Sequence, residues 1–225
     1  FFDYQVLLGY LASRVGQMRI GVGVTEPIRR HPVLIAQAIM TLSHLTKKAP
    51  ILGIGAGERM NIDPYGLDPS EPVTRVEEAL QIIRLCLSTT GPITFCGKHY
   101  RLDQATMDLK PAPGRVPEIW IAGHGPRMLE LTGRYGDGWY PTTVASPPEY
   151  AAKLAAVRAA AVAAGRNPDC ITPALHRFTV IAASEQEARA MLETKAVRAL
   201  GLMAPAEQWR QAGAMHPFGK HFNPL

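Results

Sequence analysis

The sequence predicts an α/β fold with a parallel sheet, and it favours a closed (β/α)8 TIM barrel over a doubly wound sheet. Short apolar runs alternate with segments of helical periodicity, giving five β→α units in order. The runs are continuously apolar, as expected for strands buried on both faces. Each run ends in glycine or polar residues, and barrel active sites lie at that end of the strands. Five units cannot close eight strands, so we expect residues 1–225 to form a single partial barrel domain.

The predicted elements follow one another through short loops. The strands are predicted at residues 18–24, 51–57, 118–123, 137–142 and 171–184. The first helix opens at Pro32, where a missing N–H costs nothing, and closes at Lys47 and Lys48. The other helices are predicted at residues 73–87, 126–135, 148–165 and 185–202. Residues 89–117 interrupt this alternation, and Gly97 between two short β-like pairs predicts a surface hairpin insertion there. From Met203 onward we expect an irregular tail.

Composition excludes several classes of protein. The net charge is +5, but the basic residues are scattered without interleaved aromatics, so we expect no nucleic-acid binding. No run of apolar residues is long enough to span a bilayer, which predicts no stable membrane insertion. The three cysteines, Cys86, Cys96 and Cys170, fit neither a disulfide framework nor a metal site, and a reducing cytoplasm is the expected compartment. The chain begins with Phe1 without a signal-peptide pattern, and we expect the protein to extend beyond both ends.

The glycine-rich stretch after the second predicted strand has two interpretations. A dinucleotide-binding loop needs its third glycine three residues after the second, at the start of a helix. Here Gly57 comes two residues after Gly55, and the helix is delayed to about residue 73, which favours glycines packed inside a barrel. Glu58 lies just beyond this strand and is a candidate catalytic carboxylate at the rim. Asn61 is a candidate for hydrogen-bonding the edge of a cofactor ring.

Two further strand ends carry candidate binding residues. The first strand ends in Gly23, Val24, Thr25 and Glu26, although a simple turn fixed by the following proline is the alternative. The third strand ends at Ala122, followed by Gly123, His124, Gly125 and Pro126 at the start of a helix, where backbone N–H groups can cradle an anion. His124 is a candidate catalytic residue, with a purely structural histidine as the alternative. In the fifth strand, His176 or Arg177 should face the pocket, because a buried charged group needs a partner.

Together these segments resemble the luciferase-like superfamily of flavin and deazaflavin oxidoreductases. The resemblance is carried by GVGVTEP, LGIGAGERMN, FCGKHYRL, PEIWIAGHGPRMLELTGRYGDGW and AAGRNP. It implies that the chain covers roughly strands three to seven of the barrel. It also implies a non-proline cis peptide at Gly23–Val24 beneath the cofactor ring, rim residues at Glu58 and Asn61, and a phosphate cradle from Gly123 to Pro126.

The resemblance also implies an activity. It points to hydride transfer from coenzyme F420 to a ketone, in a branch of ketoreductases that act on a long lipid, with Glu58 or His124 as the acid. A small-molecule or lipid ketone is then the expected partner, and a homodimer is the expected assembly. Two alternatives stay open: an FMN-dependent monooxygenase on the same fold, and a non-catalytic cofactor-binding fragment.

Overall fold

A computed structural model describes residues 2–222 except 143, 145, 178, 196–198, 200, 201, 203, 205 and 212. The helices are α1 (Tyr4–Ala12), α2 (Pro32–Leu45), α3 (Pro72–Ser88), α4 (Pro126–Tyr135), α5 (Pro147–Ala163), α6 (Glu185–Leu192) and α7 (Ala206–Gln211). The strands are β1 (Gly21–Thr25), β2 (Ile51–Ile54), β3 (Ile93–Cys96), β4 (Arg101–Ala105), β5 (Glu118–Ile121), β6 (Gly138–Trp139) and β7 (Thr172–Pro173). Across these ranges, no helix combines the length and apolar character that crossing a membrane requires.

Five of the strands form one parallel sheet in the order β1-β2-β5-β6-β7. Each strand pairs with the parallel-sheet strand that precedes it in the chain, as in the alignment of Gly53 with Trp120 and of Trp120 with Gly138. The successive helices α1 to α5 also pack each against the next. A doubly wound sheet would reverse its strand order and divide its helices between two faces. The strand order and the helix packing are therefore those of an arc of a (β/α)8 barrel, as the sequence predicted.

The core lies between the outer face of this arc and the helices. Outward side chains of the strands are at most 1 % exposed and pack against apolar faces of α2, α3, α4 and α5; they are Leu52, Ile54, Ile119, Ile121 and Trp139. Cys86, on α3, is 1 % exposed in the same core. The two-residue periodicity of the strands places the intervening residues on the inner face of the arc.

The insertion predicted at residues 89–117 contains the antiparallel hairpin of β3 and β4. Glu78 on α3 fixes the turn, because its carboxylate accepts backbone N–H groups from Lys98, His99 and Tyr100 at 2.7, 2.9 and 3.0 Å. The hairpin turn is therefore fixed to α3 by three hydrogen bonds.

Several predicted bounds are wrong. The predicted strands at 137–142 and 171–184 contribute only two residues each to the sheet, although backbone bonds from Ala174 to Trp139 and from His176 to Pro141 extend the contact. Residue 178 of the second of these segments lies outside the described residues. The helix predicted at 185–202 ends at Leu192, while residues 196–198, 200 and 201 lie outside the described ones. Helix α1 was not predicted, although Asp3 caps its N-terminus, and the tail that was expected to be irregular contains α7.

Candidate functional site

The carboxyl ends of β1, β2 and β5 bring most of the predicted site residues side by side. The Gly55 N–H donates to the Thr25 carbonyl at 2.9 Å, and the Ala122 N–H donates to the Ile54 carbonyl at 2.9 Å. A Cβ atom built on Gly55 would lie 3.3 Å from Val24 Cγ2 and 3.5 Å from the Ala122 oxygen. Residues 23–26, 55–58 and 122–123 therefore form one continuous rim.

The peptide bond between Gly23 and Val24 is cis, as the resemblance implied. The side chain of Val24 lies over β2, where a Cβ on Gly53 would collide with the Val22 carbonyl oxygen and lie 2.9 Å from Val24 Cγ1. Gly53 in β2 and Gly55 just beyond it therefore make room for the bulge in β1. No helix opens at Gly57, since two short 3-10 turns (Arg59–Asn61 and Asp63–Tyr65) precede α3. The interpretation as packed barrel glycines is confirmed, and the dinucleotide-loop interpretation is wrong.

The carboxylate of Glu26 is committed to its own loop. Glu26 is 5 % exposed and accepts the Ile28 N–H at 2.5 Å, the Arg29 N–H at 3.0 Å and the Arg29 Nε–H at 2.5 Å. Two backbone donors and a guanidinium satisfy much of the hydrogen-bonding capacity of a carboxylate. These contacts make Glu26 a brace of the β1–α2 loop; a direct role in binding a cofactor, as the sequence suggested, stays a prediction.

Glu58 and Asn61 form a pair at the end of β2. The Asn61 Nδ2–H donates to Glu58 Oε2 at 2.7 Å, and both side chains are partly buried. The 3-10 turn Arg59–Asn61 brings the amide back onto the carboxylate. Asn61 therefore orients the carboxylate, in addition to any contact that it makes with a ligand.

His124 lies between β5 and the N-terminus of α4 and is partly buried. Its Nε2 is 3.3 Å from Thr142 Oγ1. Burial lowers the pKa of His124 below its ordinary value, Lys153 acts in the same direction, and Glu149 opposes them. The ring is therefore neutral at neutral pH and has one N–H to donate.

The start of α4 has the shape of an anion cradle. Gly125 occupies the N-cap position without a side-chain cap, and nothing lies within 4 Å of the place where its Cβ would stand. The uncapped N–H groups and the space above them suit a phosphate, so the residues fit the phosphate of a flavin-type cofactor. Below, Gly123 is fixed by the indole N–H of Trp139, which donates to its carbonyl at 3.0 Å, and by contact with Met128.

The inner face carries a row of rings that sequence reasoning missed in part. The ring of Tyr140 lies 6.0 Å from that of Trp120 and 5.8 Å from that of His176, measured between centroids. Tyr140 also covers Gly23, where a Cβ would lie 3.1 Å from Tyr140 Cε1. His176 is thus the member of the predicted pair that joins the row, while the guanidinium of Arg177 donates to the Val144 carbonyl. For Trp120, the alternation with buried Ile119 and Ile121 was an available signal, whereas the adjacent pair Trp139 and Tyr140 gave none.

A barrel wall with a bulged strand, a carboxylate at its rim and an uncapped helix N-terminus is an arrangement that can hold an anionic cofactor at the carboxyl ends of barrel strands. No group of three or more metal-ligating side chains occurs in the described part of the chain. A family model described as luciferase-like monooxygenase matches residues 1–222. The chain belongs to this family.

Individual relatives narrow the comparison. The chain is 43% identical over 224 residues to the phthiodiolone/phenolphthiodiolone dimycocerosates ketoreductase of Mycobacterium tuberculosis (strain ATCC 25618 / H37Rv), covering 99% of this chain and 59% of that protein. Among solved structures, the coenzyme F420 dependent tetrahydromethanopterin reductase from Methanopyrus kandleri matches with a TM-score of 0.82 and 25% identity, covering 95% of this chain and 65% of that one. An F420-dependent secondary alcohol dehydrogenase in complex with an F420-acetone adduct matches with a TM-score of 0.76 and 25% identity, covering 85% and 58%.

The chain thus spans about three-fifths of the length of the curated relative, 59%. The predicted luciferase-like barrel covering roughly strands three to seven, and the resemblance to ketoreductases of this branch, are confirmed. The roles predicted for individual site residues stay predictions.

Proposed function

We propose that this chain is the cofactor-binding part of an oxidoreductase that uses coenzyme F420 to transfer a hydride to a ketone. The bulge of β1 at Val24, on the rim shared with Ala122 and Gly55, carries the proposal. Relatives named as F420-dependent enzymes and as a ketoreductase support it. When bound, the deazaflavin supplies the hydride, while the protein supplies placement and electrostatics.

The residues around the rim have separate tasks in this proposal. The bulge at Val24 supports the cofactor ring, and the N-terminus of α4 holds its phosphate. Glu58, oriented by Asn61, delivers a proton to the oxygen of the reduced carbonyl. Neutral His124 donates a hydrogen bond toward the site.

The proton-donor role of Glu58 is tested with Glu58→Gln in the intact protein. A general acid contributes about 10²–10⁴-fold to the rate, so turnover should fall by at least about 100-fold while the dissociation constant of the cofactor stays within about threefold. Glu130→Gln on the exposed side of α4 is the matched control and should change neither quantity. Equal losses in turnover and cofactor affinity would contradict the acid role.

The choice of cofactor is tested by titrating the intact protein with coenzyme F420 and with FMN, following cofactor fluorescence. Binding of the deazaflavin in preference to FMN supports the proposal. Preference for FMN would move the protein to the monooxygenase branch. Binding of neither would make this chain a non-catalytic member of the family.

The finer predictions belong to the same proposal. We propose a long-chain lipid ketone as the substrate, on the strength of the 43% identity to the phthiodiolone ketoreductase. A cytoplasmic location is supported by the free and exposed thiols of Cys96 and Cys170, which suit a reducing compartment. A homodimer is supported by exposed apolar side chains along α1 and α2, such as Tyr10 and Leu34. Competition with short ketones, localisation in cells and sedimentation would test these three in turn.

A further inference from the structure

The hairpin insertion reaches the rim of the barrel through one side chain. Tyr100 closes the hairpin turn, is 8 % exposed, and donates its hydroxyl proton to the Pro27 carbonyl at 2.7 Å. Its ring also meets the ring of His31 edge-on at 5.4 Å between centroids. Pro27 and His31 belong to the loop that joins β1 to α2. The hairpin therefore contacts this loop at two points.

The base of this contact is rigid. Glu78 on α3 accepts three consecutive backbone N–H groups of the turn, ending with that of Tyr100 itself. A carboxylate that accepts several backbone donors is held in one orientation, and it holds the donors in turn. Burial also raises the pKa of Tyr100, so its hydroxyl keeps the proton that it donates.

The loop that Tyr100 contacts leads directly to the bulged strand. Glu26 braces it internally through the N–H groups of Ile28 and Arg29. The side chain of Glu26 also faces the next rim segment, since a Cβ on Gly57 would lie 3.2 Å from Glu26 Cγ. Displacing the loop would therefore shift Glu26 against Gly57, which immediately precedes Glu58.

We propose that Tyr100 is a positioning residue for the cofactor site, which fixes the β1–α2 loop and through it the bulge at Val24 and the rim at Gly57. The proposal rests on the proposed function for its cofactor readout. In this proposal the hairpin insertion contributes to cofactor binding through Tyr100, without a contact between any hairpin residue and the cofactor or substrate.

The test compares Tyr100→Phe with Tyr135→Phe in the intact protein. Each variant removes one partly or fully buried hydroxyl. Tyr135 is the last residue of α4, at the end of that helix remote from the rim, and its hydroxyl accepts a hydrogen bond from Gln81 Nε2 of α3 at 3.1 Å. Two quantities are measured: hydrogen exchange of the amides in residues 25–31, and the dissociation constant of coenzyme F420. A hydrogen bond worth about 1 kcal/mol corresponds to about a fivefold change in either.

For Tyr100→Phe we expect about fivefold faster exchange at Ile28 and Arg29 and about fivefold weaker cofactor binding, with Tyr135→Phe within about twofold of wild type in both. Equal behaviour of the two variants would overturn the proposal, as would faster exchange without a loss of cofactor affinity. Wild-type protein that binds neither F420 nor FMN would overturn the proposed function instead. Amide exchange alone would then decide whether Tyr100 fixes the loop.

Discussion

Replacing Gly53 by alanine should destabilise the protein because the bulge of β1 occupies the space above this glycine. A glycine inside a strand normally costs about 0.5–1 kcal/mol relative to alanine, so an unobstructed site would gain stability from Gly53→Ala. Here the new methyl would collide with the Val22 carbonyl oxygen and lie 2.9 Å from Val24 Cγ1 and 3.2 Å from Gly23 Cα. Two of these neighbours are backbone atoms, which cannot rotate away. Overpacking of this kind costs typically about 1–3 kcal/mol, and we expect the upper end, about 3 kcal/mol.

The assay is thermal unfolding of the intact protein, followed by circular dichroism. A loss of about 3 kcal/mol corresponds to a fall in Tm of roughly 6–12 °C for a chain of this size. Gly55→Ala should cost less, because its nearest neighbour is Val24 Cγ2 at 3.3 Å. Gly91→Ala is the control, since nothing lies within 4 Å of its Cβ position. A Tm for Gly53→Ala equal to that of Gly91→Ala, or above wild type, would refute the assignment of this space to the bulge.

Three further predictions concern the residues around the site. Partial burial lowers the pKa of His124, so the unfolded chain takes up the proton first and the free energy of unfolding should fall as the pH drops through about 6.5. Urea titrations at about pH 7.5 and about pH 5.5 should show a smaller fall for His124→Asn, and an equal fall in wild type and variant would contradict this. Trp139→Phe leaves the Gly123 carbonyl without its buried donor and should lower the free energy of unfolding by about 1–3 kcal/mol in denaturant titrations. Glu78→Ala removes the acceptor of three turn amides and should cost about 3 kcal/mol, with faster exchange of those amides; unchanged exchange would show that the turn holds without it.

The sequence predicted the parallel sheet, the hairpin and the barrel because continuously apolar strands and regularly placed helices are strong signals. It did not fix the length of short strands. Trp139 and Tyr140 are adjacent and face opposite sides of the sheet, one buried against helices and the other facing Gly23. In a strand of two residues there is no alternation of apolar and polar side chains to show which face is buried. The sequence therefore could not show which of the two rings faces inward.

The site was predicted at the level of segments and less well at the level of atoms. The spacing of Gly53, Gly55 and Gly57 was enough to disfavour a dinucleotide loop. The reason why glycines stand at these positions is the Val24 side chain, which lies against Gly53 and Gly55. That contact joins strands about thirty residues apart and could not be read from the local sequence. For Glu26, the sequence shows a carboxylate after a strand but not its partners. The turn that follows brings the N–H groups of Ile28 and Arg29, two and three residues later, onto this carboxylate.

The strand order of the sheet has a consequence for how the chain acquires its structure. Because β2, β5, β6 and β7 each pair with the sheet strand made before them, the partner of every new strand has already left the ribosome. The hairpin of β3 and β4 lies between β2 and β5 in the chain, and its two strands pair with each other. It therefore needs no distant segment to form. Contacts of modest sequence separation carry a small loop-closure cost, so the order favours assembly in the direction of synthesis. The growing edge of the sheet is then always the newest strand.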